Sequence, residues 1–368
     1  MAQSYHRKRL WMARRSKSLI GRTTLKPKIS IIIAAYNEEA VIQSTIKRVD
    51  EFMKSQSKYE WEIICIDDGS KDNTLDKMLE IGIKYKKLKI LKQPRNFGQG
   101  KALREGFAHA DGDFIVTLDA DLSYSPEYVI QLVEAILEKN VDIALTSPYA
   151  KGGKVKNVPF YRHFLSRYGN KYLAKMSDYE ISTLTSVVRG YRKEVIQTLF
   201  LNSNGMEMQL EILLKSAIMN FKVCEVPATL AWDYEKFVEA GSQRTSKMKI
   251  LKTVQLYLLM GWLSKPARIL SIFSFLMLLI GTYLSVGIAA RFVLIFNSHE
   301  SVAFAENLSL SLKHLVANYT HSIVLASILL ILGLQILIFS MIFLQSKFYF
   351  EELYKLGQSI LNNERSEK

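Results

Sequence analysis

The chain has 368 residues, with 49 Lys and Arg against 35 Asp and Glu, so its formal net charge is +14. The length indicates two structural units, and a composition of 49% hydrophobic and 23% charged residues excludes a disordered or collagen-like chain. Two cysteines, Cys65 and Cys224, exclude a disulfide-rich scaffold, and both are predicted to be buried thiols because each lies in an apolar run.

From residue 28 onward, short apolar runs alternate with segments of helical periodicity. Strands are predicted at 28–35, 61–70, 88–93, 113–121 and 142–148, and helices at 41–55, 72–85, 100–110 and 125–139. This alternation predicts a mostly parallel sheet with crossover helices, the α/β class. Neither a GxGxxG after the first strand nor a P-loop motif occurs, so those two kinds of nucleotide site are not favoured.

Polar side chains follow three of the predicted strands. Asn37-Glu38 follows the first strand, Asp67-Asp68 ends the second, and Asp119-Ala120-Asp121 ends the fourth. Ligands of open α/β sheets bind beyond the carboxyl ends of the strands, so these groups are expected to converge on one crevice. A structural alternative for Asp67 or Asp68 is capping of the next helix.

Asp119 and Asp121 flank one alanine at the end of a strand, and strand alternation would place both carboxylates on the same side. Two such carboxylates repel each other unless a cation lies between them. A hard divalent cation, Mg²⁺ or Mn²⁺, shared with substrate phosphates, is the natural partner. No His/Cys cluster has the spacing of a zinc site.

Two uncharged runs in the C-terminal part, 269–290 and 322–345, are each long enough to cross a bilayer core of about 30 Å. The alternative is a buried core helix. The predicted division is a transmembrane helix at 268–291, an extracytoplasmic loop at 292–320, a second transmembrane helix at 321–346 and a cytoplasmic tail at 347–368.

The excess positive charge lies in two segments. Residues 1–28 hold nine basic and no acidic side chains, residues 244–268 hold six and none, and the rest holds 34 basic against 35 acidic. Nucleic-acid binding is therefore disfavoured, and the positive-inside rule places residues 1–268 in the cytoplasm. We predict a basic N-terminal tail at 1–26, either bound to headgroups or solvated. Basic interfacial helices are predicted at 244–267, the alternative being an amphipathic helix packed on the soluble domain.

Four motifs together resemble family 2 glycosyltransferases of the GT-A fold: AYNEE at 35–39, IDDGS at 66–70, NFGQGKA at 96–102 and DADL at 119–122. The run DADLSYSPE at 119–127 is similar to the polyprenyl-phosphate glycosyltransferases, the group of dolichyl-phosphate mannose synthases and bactoprenol glucosyltransferases. The resemblance covers about residues 27–265. It implies a Rossmann-like GT-A catalytic domain at 27–243, followed by interfacial helices and two transmembrane helices.

The resemblance also implies roles for individual residues. Nucleotide contacts are implied for Tyr36, Glu38, Asp67, Asp68 and Lys101. Asp119 and Asp121 would be catalytic and would hold the donor diphosphate through Mg²⁺ or Mn²⁺. A catalytic Arg189 would meet phosphate, and the acceptor phosphate would be held by Arg189, Arg244, Ser246 and Lys247.

The sequence departs from the family pattern in places, and purely structural roles remain alternatives for several residues. Around Arg189 the usual glycine is Val187 and the usual aspartate is Thr183, and Pro148 replaces an arginine. Arg189 could instead pair structurally with a carboxylate. The remaining alternatives are a simple tight turn for Gly98 and Gly100, a solvated helix position for Glu207, and plain positive-inside charges for Lys247 and Lys249.

The expected activity is inverting transfer of glucose or mannose, from UDP-glucose or GDP-mannose, to undecaprenyl or dolichyl phosphate. The enzyme would be a metal-dependent hexosyltransferase of the cell (inner) membrane with its catalytic domain in the cytoplasm, and a homo-oligomer is left open. The absence of a QxxRW string disfavours a processive polysaccharide synthase. The alternatives are another lipid or polysaccharide acceptor, or a non-catalytic membrane-anchored relative.

Overall fold

The computed structural model describes residues 26–177, 179–232, 266–298 and 303–367. The chain divides into two compact units, Met1–Met248 and Lys249–Lys368. The predicted tail at 1–26, apart from its last residue, and nearly all of the predicted interfacial segment at 244–267 lie outside the described residues.

The first half of the first unit alternates strand and helix as predicted, with each boundary within a few residues of its expected place. Its elements are β1 Lys28–Ala35, α1 Ile42–Lys54, β2 Glu60–Asp67, α2 Thr74–Gly82, β3 Leu88–Lys92, α3 Gln99–Ala108, β4 Phe114–Asp119, α4 Tyr128–Glu138 and β5 Ile143–Ser147.

The second half of this unit has shorter strands, whose residues show little periodicity. Its elements are β6 Lys154–Lys156, α5 Phe160–Met176, β7 Arg189–Arg192, α6 Lys193–Thr198, α7 Met208–Ile218, β8 Val223–Pro227 and β9 Thr229–Ala231.

Seven strands form one sheet in the order β3-β2-β1-β4-β7-β5-β8, and β6 pairs with β9 in a small second sheet. The pairs of β1 with β2 and β4, of β2 with β3, and of β5 with β8 are parallel. β7 alone runs antiparallel, between β4 and β5. The predicted α/β fold with a mostly parallel sheet is confirmed.

The sheet is covered on both faces, which explains why its central strands are almost continuously apolar. On one face Ile31 and Ile33 of β1 join a core that includes Ile46 of α1 and Leu132 of α4. On the other face Ile32 joins side chains of α3, α6 and α7. Alternate residues of one strand therefore serve opposite layers, and the strand ends are left at the rim of the sheet.

The second unit contains two long helices, α8 Pro266–Asn297 and α9 Phe304–Glu367. Both are long and apolar enough to cross a membrane, with mean hydropathy of 2.2 and 2.7 in their most apolar windows. Only 11% of each window is buried, which disfavours the buried core helix. α9 extends beyond the predicted second span at both ends, and its backbone leaves helical geometry at Tyr319, close to the predicted start of that span.

Candidate functional site

The register of the sheet brings the predicted strand ends to one edge. Ala35 at the end of β1 pairs with Asp67 at the end of β2, and the preceding Ala34 pairs with Asp119 at the end of β4. Asp67 and Asp119 thus end the two strands that flank β1. The expected convergence of three polar strand ends follows directly from these parallel pairings.

Hydrogen bonds between loops fix the segment after β1. The Asn37 amide donates to Ser70 Oγ at 3.0 Å, and the Lys71 amide donates to Asn37 Oδ1 at 2.8 Å. Asn37 has φ of 56°, a conformation that asparagine tolerates better than most residues. The Glu38 amide donates to Thr74 Oγ1 at 2.8 Å, while Tyr36 remains exposed beside it.

The two carboxylates that end β2 are buried and bind backbone amides. Asp67 accepts the Ser70 amide at 3.2 Å, and Asp68 accepts the amides of Phe97 and Gly98, both at 2.9 Å. Because α2 begins only at Thr74, neither aspartate caps that helix, which removes the capping alternative. Burial raises the pKa of Asp68, the charge of Asp67 adds to that rise, and the two amides oppose it.

The glycines before α3 lie against the loop at residues 203–205. A Cβ at Gly98 would stand 2.5 Å from the Asn204 carbonyl oxygen, and one at Gly100 would stand 2.7 Å from the Ser203 carbonyl oxygen. Gly98 also has φ of 105°. The glycines therefore permit close backbone approach as well as a turn. Nearby, the Lys101 ammonium pairs with Glu105 in the same helix.

β4 ends at Asp119, so the expected strand alternation does not extend to Asp121. A turn follows instead, in which the Leu122 amide donates to the Asp119 carbonyl at 3.2 Å and Leu122 has φ of 49°. Asp121 Oδ1 accepts the amide and the hydroxyl of Ser123, at 2.8 and 2.7 Å. The predicted strand alternation of the two aspartates is wrong, because this turn and not the strand places Asp121.

Two neighbours of this turn were missed in the sequence. The buried Thr45 hydroxyl on α1 donates to the Ala120 carbonyl at 2.6 Å, which ties the turn to the helix. A polar residue between Ile42 and Ile46 on an apolar helix face was the available signal. Tyr124 is buried next to Asp119, and its pKa is raised first by burial and then by the Asp119 charge.

The donor chemistry of the turn fits a hard divalent cation. Carboxylate oxygens are the ligands that Mg²⁺ and Mn²⁺ prefer, and Mg²⁺ usually retains waters and substrate phosphates in its shell. Within the described parts of the chain, no three His, Cys, Asp or Glu side chains are grouped so that they could hold a metal ion. Asp119 and Asp121 would therefore supply part of a shell that phosphate and water complete.

Arg189 is placed differently from its predicted role. Its side chain is fully buried, and its guanidinium donates to the carbonyls of Ser186 at 2.7 Å, Gln209 at 2.9 Å and Leu184 at 2.6 Å. It holds the loop before β7 to α7 and presents nothing to solvent. In this conformation the geometry does not support a contact with phosphate, and the structural alternative is realised with carbonyls rather than a carboxylate.

Of the remaining predicted positions, the structure describes Glu207. Glu207 accepts the Gly205 amide at 2.8 Å, so it shapes the loop before α7 rather than standing free in solvent. Arg244, Ser246, Lys247 and Lys249 lie outside the described residues.

Comparison with known proteins agrees with this arrangement. The model of the family "Glycosyl transferase family 2" matches residues 30–200. A dolichol-phosphate mannosyltransferase of Pyrococcus furiosus is 34% identical over 247 residues, which cover 66% of each chain. An undecaprenyl-phosphate 4-deoxy-4-formamido-L-arabinose transferase of Proteus mirabilis is 33% identical over 174 residues, which cover 47% of this chain and 51% of that protein.

Among solved structures, glucosyl-3-phosphoglycerate synthase from Mycobacterium tuberculosis, in complex with Mn²⁺, UDP and glucosyl-3-phosphoglycerate, matches with a TM-score of 0.49. It is 18% identical, and the match covers 65% of this chain and 80% of that one. The chain spans between half and two thirds of the length of the two curated relatives. With the family model and these relatives in agreement, residues 30–200 of the chain form a glycosyltransferase family 2 domain.

Proposed function

We propose that the protein transfers glucose or mannose from a nucleoside diphosphate sugar to a polyprenyl phosphate at the cytoplasmic face of the cell (inner) membrane. The observation that carries this proposal is the alignment of Asp67 and Asp119 at one edge of the sheet, on either side of β1. The names of the two curated relatives support a polyprenyl phosphate acceptor, dolichyl or undecaprenyl.

The nucleoside would bind over the ends of β1 and β2. Ionised carboxylates only accept hydrogen bonds, so Asp67 and Asp68 suit the N–H groups of a base or the hydroxyls of a ribose rather than phosphate. Tyr36 and Glu38, after β1, would complete this part of the site. Lys101 would reach the nucleotide only by leaving its partner Glu105.

The diphosphate would lie over the turn that follows β4. Asp119 and Asp121 would hold a divalent cation there, with Thr45 and Ser123 fixing the turn. When bound, that cation neutralises the negative charge that develops on the departing diphosphate.

The acceptor needs little activation. A polyprenyl phosphate is largely ionised near pH 7, so its oxygen can attack the anomeric carbon without a strong general base. In-line attack opposite the leaving diphosphate inverts the configuration at that carbon. Arg244, Ser246 and Lys247 remain the proposed phosphate contacts, whereas the buried Arg189 is assigned to positioning of the loop before β7.

The test uses the purified full chain with undecaprenyl or dolichyl phosphate, GDP-mannose or UDP-glucose, and Mg²⁺ or Mn²⁺. We expect one donor to give a lipid-linked sugar in a reaction that chelation of the metal abolishes. Absence of product with every donor would contradict the catalytic proposal. Transfer to a different lipid or to a glycan, with polyprenyl phosphate inert, would favour the alternative acceptor class.

A further inference from the structure

α5 is fastened to the catalytic unit by one face. Asn170 in this helix is fully buried, and its Oδ1 accepts the amides of Leu184 and Thr185 at 2.8 and 3.2 Å. Leu173, three residues further along, is also buried. The opposite face of the helix is therefore turned outward.

The outward face carries a row of aromatic side chains, Phe160, Tyr161, Phe164 and Tyr168, which we call the aromatic ridge. Phe160 is 81% exposed, and the other three are about half exposed, between 47% and 55%. Residues four apart share a helix face, and the rings of Phe164 and Tyr168 lie in contact, with centroids 4.4 Å apart. A contiguous exposed apolar surface of this kind marks an interaction site.

The segment of chain that carries the aromatic ridge is basic. Residues 151–175 hold seven Lys and Arg and no Asp or Glu. Arg167, Lys171 and Lys175 are exposed and continue along α5 beyond the ridge. This third basic stretch does not add to the net charge of the domain, because acidic residues elsewhere in the domain balance it.

A cavity of about 700 Å³ adjoins the basic end of α5. Lys151, Lys171 and Lys175 line it together with Glu180 and Glu225. The Glu225 carboxylate is engaged inward, since it accepts the amides of Ser182 and Thr183 at 2.7 Å. The lysines of the loop after β5 and of α5 thus meet at one place on the surface.

We propose that α5 docks the catalytic unit on an anionic lipid bilayer, with the aromatic ridge among the headgroups and acyl ends and with Arg167, Lys171 and Lys175 on the phosphates. Aromatic rings concentrate at membrane interfaces, and interfacial helices pair such an apolar face with Lys and Arg. Each basic side chain near an anionic surface adds to the attraction. An acidic protein partner would match the charge, but it would not need an aromatic row along the helix.

The experiment places a spin label on the aromatic ridge of the full chain in lipid nanodiscs. Phe164→Cys and Tyr168→Cys are made separately in a Cys224→Ser background, since Cys65 is fully buried and unreactive. Ile83→Cys, at a position that is 85% exposed after α2, is the matched control. Relaxation by oxygen, which partitions into lipid, is compared with relaxation by a water-soluble nickel chelate.

In anionic nanodiscs we expect labels at 164 and 168 to be reached by oxygen and shielded from nickel, with the reverse at 83. Nickel access at 164 equal to that at 83 would place the ridge in water. Shielding from both reagents would place it against protein, for example a second copy of the chain. Either result overturns the proposal.

A second comparison isolates the charge. We expect the nickel chelate to reach the label at 164 more readily in zwitterionic nanodiscs. The same increase is expected in anionic nanodiscs for the triple variant Arg167→Gln/Lys171→Gln/Lys175→Gln. Unchanged shielding in both cases would overturn the electrostatic part of the proposal. No sugar donor is present, so this experiment can fail without bearing on the proposed transferase activity, and it can succeed without supporting it.

Discussion

The Asp119–Asp121 turn shows how single side chains fix a site that strand geometry leaves open. Since β4 stops at Asp119, the direction of Asp121 depends on Ser123, which donates twice to its Oδ1, and on Thr45, which holds the Ala120 carbonyl. The negative charge and the shape of the turn therefore have separable causes. Substitutions can remove one and keep the other.

Asp121→Asn is expected to abolish most sugar transfer while leaving the turn in place. Asparagine retains an oxygen that can accept from Ser123 but carries no charge for a cation. The expected loss in turnover is about 10²–10³-fold, the scale seen when one electrostatic stabiliser of a transition state is removed. Asp121→Ala should lose at least as much. Lipid-linked sugar formation is measured alongside thermal unfolding.

Asp111→Asn is the matched control, because Asp111 is an exposed carboxylate paired with Lys89 before β4, at the other end of that strand. Its transfer rate should equal that of the unmodified protein. Full activity of Asp121→Asn, at the same metal concentration as is used for the unmodified protein, would contradict the metal role of the turn.

Glu62 illustrates a buried charge outside the site. Its carboxylate lies within 3.2 Å of Lys28 Nζ and 2.8 Å of Lys89 Nζ, and it accepts the Ser30 hydroxyl at 2.6 Å. Burial by itself would raise the pKa of Glu62, but the hydrogen bonds from Lys89, Ser30, the Asp111 amide and Lys28 outweigh it and lower the pKa to about 2. The folded state thus stabilises the ionised form of Glu62 more strongly than the unfolded chain does.

This lowered pKa predicts a pH-dependent stability. A carboxyl that titrates near 2 when folded and near 4.5 when unfolded stabilises the fold above pH 4.5, and it loses that contribution as the pH falls toward 2. The contribution at neutral pH is at most about 3 kcal/mol. Glu62→Gln should therefore lower the unfolding temperature in detergent at pH 7, with a deficit that shrinks toward pH 3.

The control for this prediction is Glu60→Gln on the same strand. Glu60 is exposed, and its pair with Lys87 at 3.4 Å is a surface salt bridge worth about 0–1 kcal/mol. A deficit of Glu62→Gln that is the same at pH 3 and pH 7 would show that packing rather than charge is lost.

At the scale of elements, the sequence predicts what is locally periodic and misses what is paired at a distance. β1 to β5 are predictable because each is a short, mostly apolar run that is separated from the next by a segment of helical periodicity. β7 is only four residues, RGYR, and its place between β4 and β5 depends on pairing with residues 44 to 78 positions away in the chain. The buried Arg189 lies on that strand, which is why its role could not be anticipated.

The two apolar helices pack through small residues. A Cβ on Gly333 would stand 3.2 Å from the Leu278 amide nitrogen, and one on Gly281 would stand 3.2 Å from the Leu330 amide nitrogen. The Ser274 hydroxyl donates to the Gly333 carbonyl at 2.8 Å. Within lipid the hydrophobic effect does not hold helices together, so close packing and hydrogen bonds of this kind must do so.

Gly333→Leu is therefore expected to separate the helices around that position. The readout is a disulfide between Ser271→Cys and Ser340→Cys, whose native hydroxyl oxygens lie 2.7 Å apart. The pair should cross-link readily in the membrane, and adding Gly333→Leu should reduce the yield, measured by mass spectrometry after proteolysis. Gly287→Leu, where a Cβ meets nothing within 4 Å, is the control and should leave the yield unchanged. Equal yields in both variants would contradict the packing.

At the scale of the whole molecule, positive charge occurs in three stretches, 1–28, 151–175 and 244–268, each without an acidic residue. The first and last account for the net excess, while the middle one belongs to a nearly neutral domain. All three fit one physical environment, the anionic cytoplasmic surface of a membrane. The proposed orientation, with residues 1–268 in the cytoplasm, would place all three stretches at that surface.

The orientation is tested by labelling single cysteines with a membrane-impermeant maleimide in intact spheroplasts. Ala305→Cys lies at the exposed start of α9 in the predicted extracytoplasmic part, and Gly357→Cys lies in the predicted cytoplasmic tail. We expect position 305 to react directly and position 357 only after permeabilisation, because Lys and Arg flanking apolar spans are retained in the cytoplasm. The buried Cys65 should stay silent, and Cys224→Ser removes the other thiol. The reverse labelling pattern would put the carboxylate edge of the sheet on the side away from cytoplasmic nucleotide sugars, and it would contradict the orientation and the proposed place of reaction together.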